Sequence, residues 1–131
     1  MEQADEIVAH RLTPTICTTA SLEALTRAVG AHRFVGYRVH VKVDTGMHRV
    51  GCAPADAVAL AQEIERRDSV VLDGVFTHLA VADEPSDPYS AQQLDRFDEV
   101  LGTIRDAGID PGRVHAANSA GGLAHTRARL D

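Results

Sequence analysis

Along this chain, extended apolar runs repeatedly give way to segments whose apolar residues recur three and four positions apart. The run LTPTICT predicts a strand near 13–18. Leu22, Leu25 and Val29 then fall on one side of a helix that Ser21 is placed to cap. VHVKVDTGMHRVG, from Val39, reads as a second strand ending in a glycine-punctuated basic turn. Pro54 suits the first turn of a helix that buries Ala57, Val58, Leu60, Ala61 and Ile64. VVLDGVFTHLA predicts a third strand. The helix after it starts near Asp87 and Pro88, carries Leu94, Phe97, Leu101 and Ile104 on one stripe, and stops at Gly108. A fourth strand, RVHAANS, runs into the small-residue turn AGG and a short helical piece.

Four βα units in succession predict an α/β fold with a parallel sheet, either a small doubly wound sheet or about half of a (β/α)8 TIM-type barrel. Side-chain parity separates the two. One parity carries His40, Lys42 and Asp44, then His78, then His115; the other carries Val39, Val41 and Val43. Helices on both faces of a doubly wound sheet would bury those polar groups at high cost. In a barrel the same groups point at the axis, near the strand ends where barrel enzymes place their active sites, and the valines face the helical ring.

A length of 131 residues suits one compact unit, and 44% hydrophobic with 24% charged residues is an ordinary globular composition. The formal charge of −6 is spread along the chain, which argues against nucleic-acid and membrane partners. MEQADEIVAH is acidic and polar, so no signal peptide or membrane span is expected and a cytoplasmic location is the default. Cys17 and Cys52 form neither a CxxC motif nor a disulfide framework; packing is their expected role.

KVDTGMHRVG, GVFTHLAVADE and HAANSAGG, in that order, resemble the central part of alanine racemase, and the resemblance covers nearly the whole chain. It implies an isomerase that uses pyridoxal 5′-phosphate to interconvert L- and D-alanine for peptidoglycan synthesis. Such enzymes are homodimers with an N-terminal barrel and a C-terminal β domain. Residues 1–131 would then be part of the barrel domain.

By the same resemblance Lys42 matches a lysine that is often carbamylated, and Arg49 the arginine it orients toward the cofactor's phenolic oxygen. A carbamate would supply the anion that a second cation needs beside it, a role Asp44 could also fill. His78 matches a histidine linking a cofactor-binding arginine to the catalytic tyrosine, and His115 a second histidine of that network. Ser119, after Asn118, matches a phosphate-binding serine; the following Ala-Gly-Gly permits close approach of backbone amides to an anion. Met47 and Leu94 read as packing residues, and His48 receives no role.

The lysine that anchors the cofactor covalently and the opposing tyrosine base have no counterpart here, so the isolated chain is expected to be inactive. Alternatives are another pyridoxal-phosphate racemase of the same fold or a non-catalytic binding module. A further one is a metal-dependent barrel hydrolase using His40, His78 and His115 with Asp44 or Glu84, although no HxH or HExxH spacing is present.

Overall fold

A computed structural model describes residues 2–130. Its backbone alternates as predicted. Helix α1 (Glu2–Ala9) is followed by β1 (Thr15–Ile16), α2 (Thr19–Ala31), β2 (Tyr37–Lys42) and α3 (Ala57–Glu65), with a 3-10 turn at Pro54–Asp56 leading into α3. Then come β3 (Val70–Phe76), α4 (Tyr89–Asp106), β4 (Arg113–His115) and the short α5 (Ser119–Ala124). All strand pairs are parallel and the sheet order is β1-β2-β3-β4. A doubly wound sheet reverses direction partway across; this one does not, so the barrel alternative holds.

Three expectations need correcting in detail. Residues 2–9 form a helix where no element was assigned: Ala4, Ile7 and Val8 sit at helical spacing and pack on the core, with Val8 fully buried. The cap of α2 is Thr18, whose Oγ1 accepts from the Ser21 N–H at 3.1 Å, while Ser21 Oγ accepts from the Thr18 N–H at 3.3 Å. Ser21 therefore completes a capping box as its third helical residue. Finally, β3 stops at Phe76 and β4 at His115, so His78 and Asn118 lie in the turns beyond the strands.

The core lies between the sheet and helices α2, α3 and α4. Val39, Val41 and Val43 are fully buried there beside Leu22, Val29, Leu60, Ile64, Phe97 and Ile104. On the opposite parity His40, Lys42 and His115 are only half-buried. Strand β2 thus carries a packed apolar face and a concave polar one.

Register between β2 and β3 is interrupted once. Val39 pairs with Leu72 but His40 pairs with Gly74, so Asp73 is an extra residue on β3. Such a bulge re-aims the side chain it adds. Here it sets Asp73 beside His40 on the concave face.

Candidate functional site

The site begins where β2 ends. After Lys42 the chain makes a loop that returns to the same strand: Cys52 donates its N–H to Lys42 O and Asp44 donates to Cys52 O, both at 2.9 Å, around a parallel bridge between Val43 and Cys52. Asp44 Oδ1 accepts the N–H groups of Gly46 and His48 at 3.0 Å each. Burial alone would raise this carboxyl; the bonds from His48 and Gly46 outweigh it and hold Asp44 below the usual carboxylate range. Gly51 has φ +144, and a Cβ on it would fall 2.6 Å from Asp44 N, so the return requires glycine. Asp44 is thus engaged in shaping the loop that carries Arg49.

A buried polar strut fixes this loop to the rest of the barrel end. Gln93, Thr45 and Thr77 are 0%, 2% and 3% exposed. Gln93 donates through Nε2 to Thr45 Oγ1 at 3.3 Å and His78 O at 3.1 Å, and accepts the Ala80 N–H at 2.8 Å. Thr77 donates to Val43 O at 2.9 Å, and its hydroxyl meets that of Thr45 at 2.8 Å. Arg96 caps Thr45 O at 2.8 Å and Tyr89 Oη donates to Gly46 O at 2.9 Å. Helix α4 therefore clamps both the loop of Arg49 and the turn of His78. Sequence reasoning passed over Gln93, although a polar residue on the same stripe as Phe97, Val100 and Ile104 is itself a signal.

On the concave face, Phe76 stacks on the His115 ring with centroids 4.5 Å apart and planes 9° from parallel. Lys42 Nζ lies 5.8 Å from the Phe76 centroid. His40 Nδ1 is 3.4 Å from His115 Nε2, and His40 Nε2 is 3.4 Å from Asp73 Oδ2. Burial lowers the proton affinity of His115, as does the neighbouring His40. His78 is lowered by burial first and then by the charges of Lys42 and Arg49.

At the end of β4, Asn118 caps α5. Its Oδ1 accepts the Gly121 N–H at 2.8 Å and its Nδ2 donates to Leu79 O at 3.3 Å, so both ends of this amide serve the turn. Ser119, the first residue of α5, is exposed, as is Arg49.

The histidines do not form the metal cluster raised as an alternative. His40 and His115 touch each other, but the carboxylate beside them is Asp73 rather than Asp44 or Glu84. Among the described residues no three His, Cys, Asp or Glu side chains converge as a metal would need. A cavity of about 620 Å³ lies elsewhere, lined by Cys17, Thr18, Cys52 and Leu60 among others. No histidine lines it.

Residues 1–131 match the family described as alanine racemase, N-terminal domain. The chain is 35% identical over 134 residues to the alanine racemase of Treponema denticola, an alignment covering 100% of this chain and 35% of that protein. It is 51% identical over 94 residues to the enzyme of Symbiobacterium thermophilum, covering 72% of this chain and 25% of the relative. The solved alanine racemase of Streptomyces coelicolor A3(2) superposes with a TM-score of 0.90 at 35% identity, over 98% of this chain and 34% of that one. This chain therefore spans about a quarter to a third of the length of these relatives. With the family matched end to end and the four-stranded parallel sheet superposing on a racemase barrel, the chain belongs to the alanine racemase N-terminal domain family.

Proposed function

We propose that this chain builds one side of the pyridoxal 5′-phosphate pocket of an alanine racemase, and that the whole protein interconverts L- and D-alanine. The observation that carries the reading is the gathering of Lys42 and His115 against the Phe76 ring at the ends of neighbouring parallel strands, with the exposed Ser119 just beyond β4. A phosphate and a phenolic oxygen are the anionic groups such a mouth suits. Ser119, exposed at the head of α5 and followed by Gly121 and Gly122, gives a phosphate a hydroxyl and a close backbone. Asn118 shapes that turn through Oδ1 and Nδ2, and each of these atoms keeps a second hydrogen-bonding position for a ligand.

When bound, the cofactor supplies an electron sink that acidifies the α-hydrogen of an amino acid. This chain's own residues hold and orient. Arg49 would hold the ring-oxygen side of the cofactor, Lys42, once carbamylated by carbon dioxide, would hold Arg49, and His78 and His115 would pass hydrogen bonds toward the base. Lys42 is the sole lysine of the sequence. Tyr37 Oη lies 2.7 Å from Leu12 O and 3.0 Å from Ile7 O, which share its one proton, and Tyr89 donates to Gly46 O, so both tyrosines are committed to the fold. The covalent lysine and the opposing tyrosine base are assigned to other parts of the whole protein, and the isolated chain is expected to be inactive. A homodimer, a cytoplasmic location and a role in cell-wall synthesis are proposed with the reading; among the described residues no helix is long and apolar enough to cross a membrane.

The test is a fluorescence titration with pyridoxamine 5′-phosphate, whose amine cannot condense with Lys42, against pyridoxamine. Binding that needs the phosphate, and that weakens about tenfold in Ser119→Ala or Arg49→Ala, supports the pocket. Equal binding of the two compounds would remove it. In a chimera with this chain replacing the matching segment of the Treponema denticola enzyme, alanine racemisation is the expected activity.

A further inference from the structure

The concave face holds a chain of hydrogen-bonding groups in which two members, Asp73 and His40, have no assigned role. The geometry points to Asp73 and His40 as positioning residues that fix the tautomer of His115, through a relay that crosses three adjacent strands, so that His115 Nδ1 is the nitrogen presented to a ligand. This rests on the cofactor-pocket reading only for the identity of that ligand.

The direction of the relay follows from donor chemistry. A carboxylate can only accept, so the proton at the contact between Asp73 Oδ2 and His40 Nε2, 3.4 Å apart, belongs to the imidazole. A neutral His40 then has its lone pair on Nδ1. That atom is 3.4 Å from His115 Nε2, so His115 must carry its proton on Nε2 and accept through Nδ1. Among the described residues no donor bonds to His115 Nδ1. Phe76, stacked at 4.5 Å and 9°, sets the plane in which that nitrogen is offered.

The backbone is built to permit this. His40 stands on β2 and His115 on β4, with β3 between them. The His40 ring reaches across because Gly74 presents no side chain: a Cβ there would lie 2.8 Å from His40 Cε1 and 3.0 Å from Nδ1. The bulge that pairs Gly74 with His40 also inserts Asp73, which brings the carboxylate to the same ring. One irregularity of β3 thus supplies both the acceptor and the clearance.

Other charges facing the relay are Arg38 and Lys42 on β2 and Arg113 on β4, which shares the parity of His115. Arg38 Nε is 3.8 Å from Asp73 Oδ1, but its side chain is 68% exposed, so water screens the pair and leaves Asp73 to polarise His40. When His115 accepts a proton, the carboxylate at the far end of the relay offsets the new charge. Burial and the neighbouring His40 both oppose this uptake.

Long-range ¹H–¹⁵N correlation spectra of the 131-residue chain read the tautomer of each of its seven histidines without a cofactor. His40 and His115 are expected to carry the proton on Nε2. In Asp73→Asn, His115 should move toward a mixture of tautomers, and its titration midpoint should fall by about half a pH unit or more, while His10 and His32 stay put. A proton on Nδ1 of either residue in the unaltered chain would overturn the proposal, and so would a folded Asp73→Asn chain with an unmoved His115. The tautomers of the unaltered chain decide the matter even if the variant does not fold. Because no cofactor enters, this outcome is independent of the pyridoxamine phosphate titration.

Discussion

The two faces of strand β2 divide the work of the molecule. Val39, Val41 and Val43 are fully buried beneath α2, α3 and α4, whereas Arg38, His40 and Lys42 line a concave surface and meet side chains from β3 and β4. Apolar burial is non-directional and additive, so many residues share the helix side and each can be exchanged for another of similar volume. On the concave side each group depends on a particular partner at a particular distance. Stability and chemistry are thus assigned to alternate residues of one strand.

The sharpest way to break that division is on the packed side. Phe97→Ala, at a fully buried position of α4, should lower the unfolding free energy by about 3–5 kcal/mol in denaturant melts; a cost below about 1 kcal/mol would mean the helices contribute little to the core. Gln93→Leu tests a place where the two sides meet. It leaves the Ala80 N–H, His78 O and Thr45 Oγ1 short of partners and should cost about 2–3 kcal/mol, while also weakening pyridoxamine phosphate binding through the freed loop. Loss of stability with unchanged binding would restrict Gln93 to the fold. Thr18→Ala, which removes the cap of α2 on the packed side, should cost about 1 kcal/mol and leave binding untouched.

Acidification acts through the concave face. His78 and His115 have folded proton affinities below those of the unfolded chain, so the unfolded state takes up protons first as pH falls through the ordinary imidazole range. The melting temperature should therefore drop between about pH 7.5 and pH 5.5, with a further fall near and below about pH 4 as the depressed Asp44 is protonated. A melting temperature that rises on acidification would contradict the assignment. The smallest effect is expected for Lys42→Met, which should alter stability by no more than about 0.5 kcal/mol yet impair binding. A large loss of stability there would mean that Lys42 belongs to the core.

Much of this architecture was legible in the sequence because its signals are local. Alternation along Val39–Asp44 and the stripe Leu94, Phe97, Leu101, Ile104 identify a strand and a helix without knowledge of any partner. Helix α1 was not read from the sequence: Ala4, Ile7 and Val8 have the spacing, but its acidic composition masked it. The candidate residues His78, His115 and Ser119 stood out by type and by family resemblance. Their surroundings did not. That both ends of Asn118 serve the turn, that Asp44 shapes a loop, and that Gln93 joins that loop to α4 depend on neighbours distant in the chain.

The sequence by itself determined the succession of strands and helices and which parity of each strand would be polar, because periods of two and 3.6 residues are properties of the backbone alone. Only the tertiary structure decided which polar groups would meet. His40 and His115 are 75 positions apart, and a single extra residue in β3 chooses Asp73 as their carboxylate. Register between strands is set by the packing of whole elements, and no local pattern encodes it.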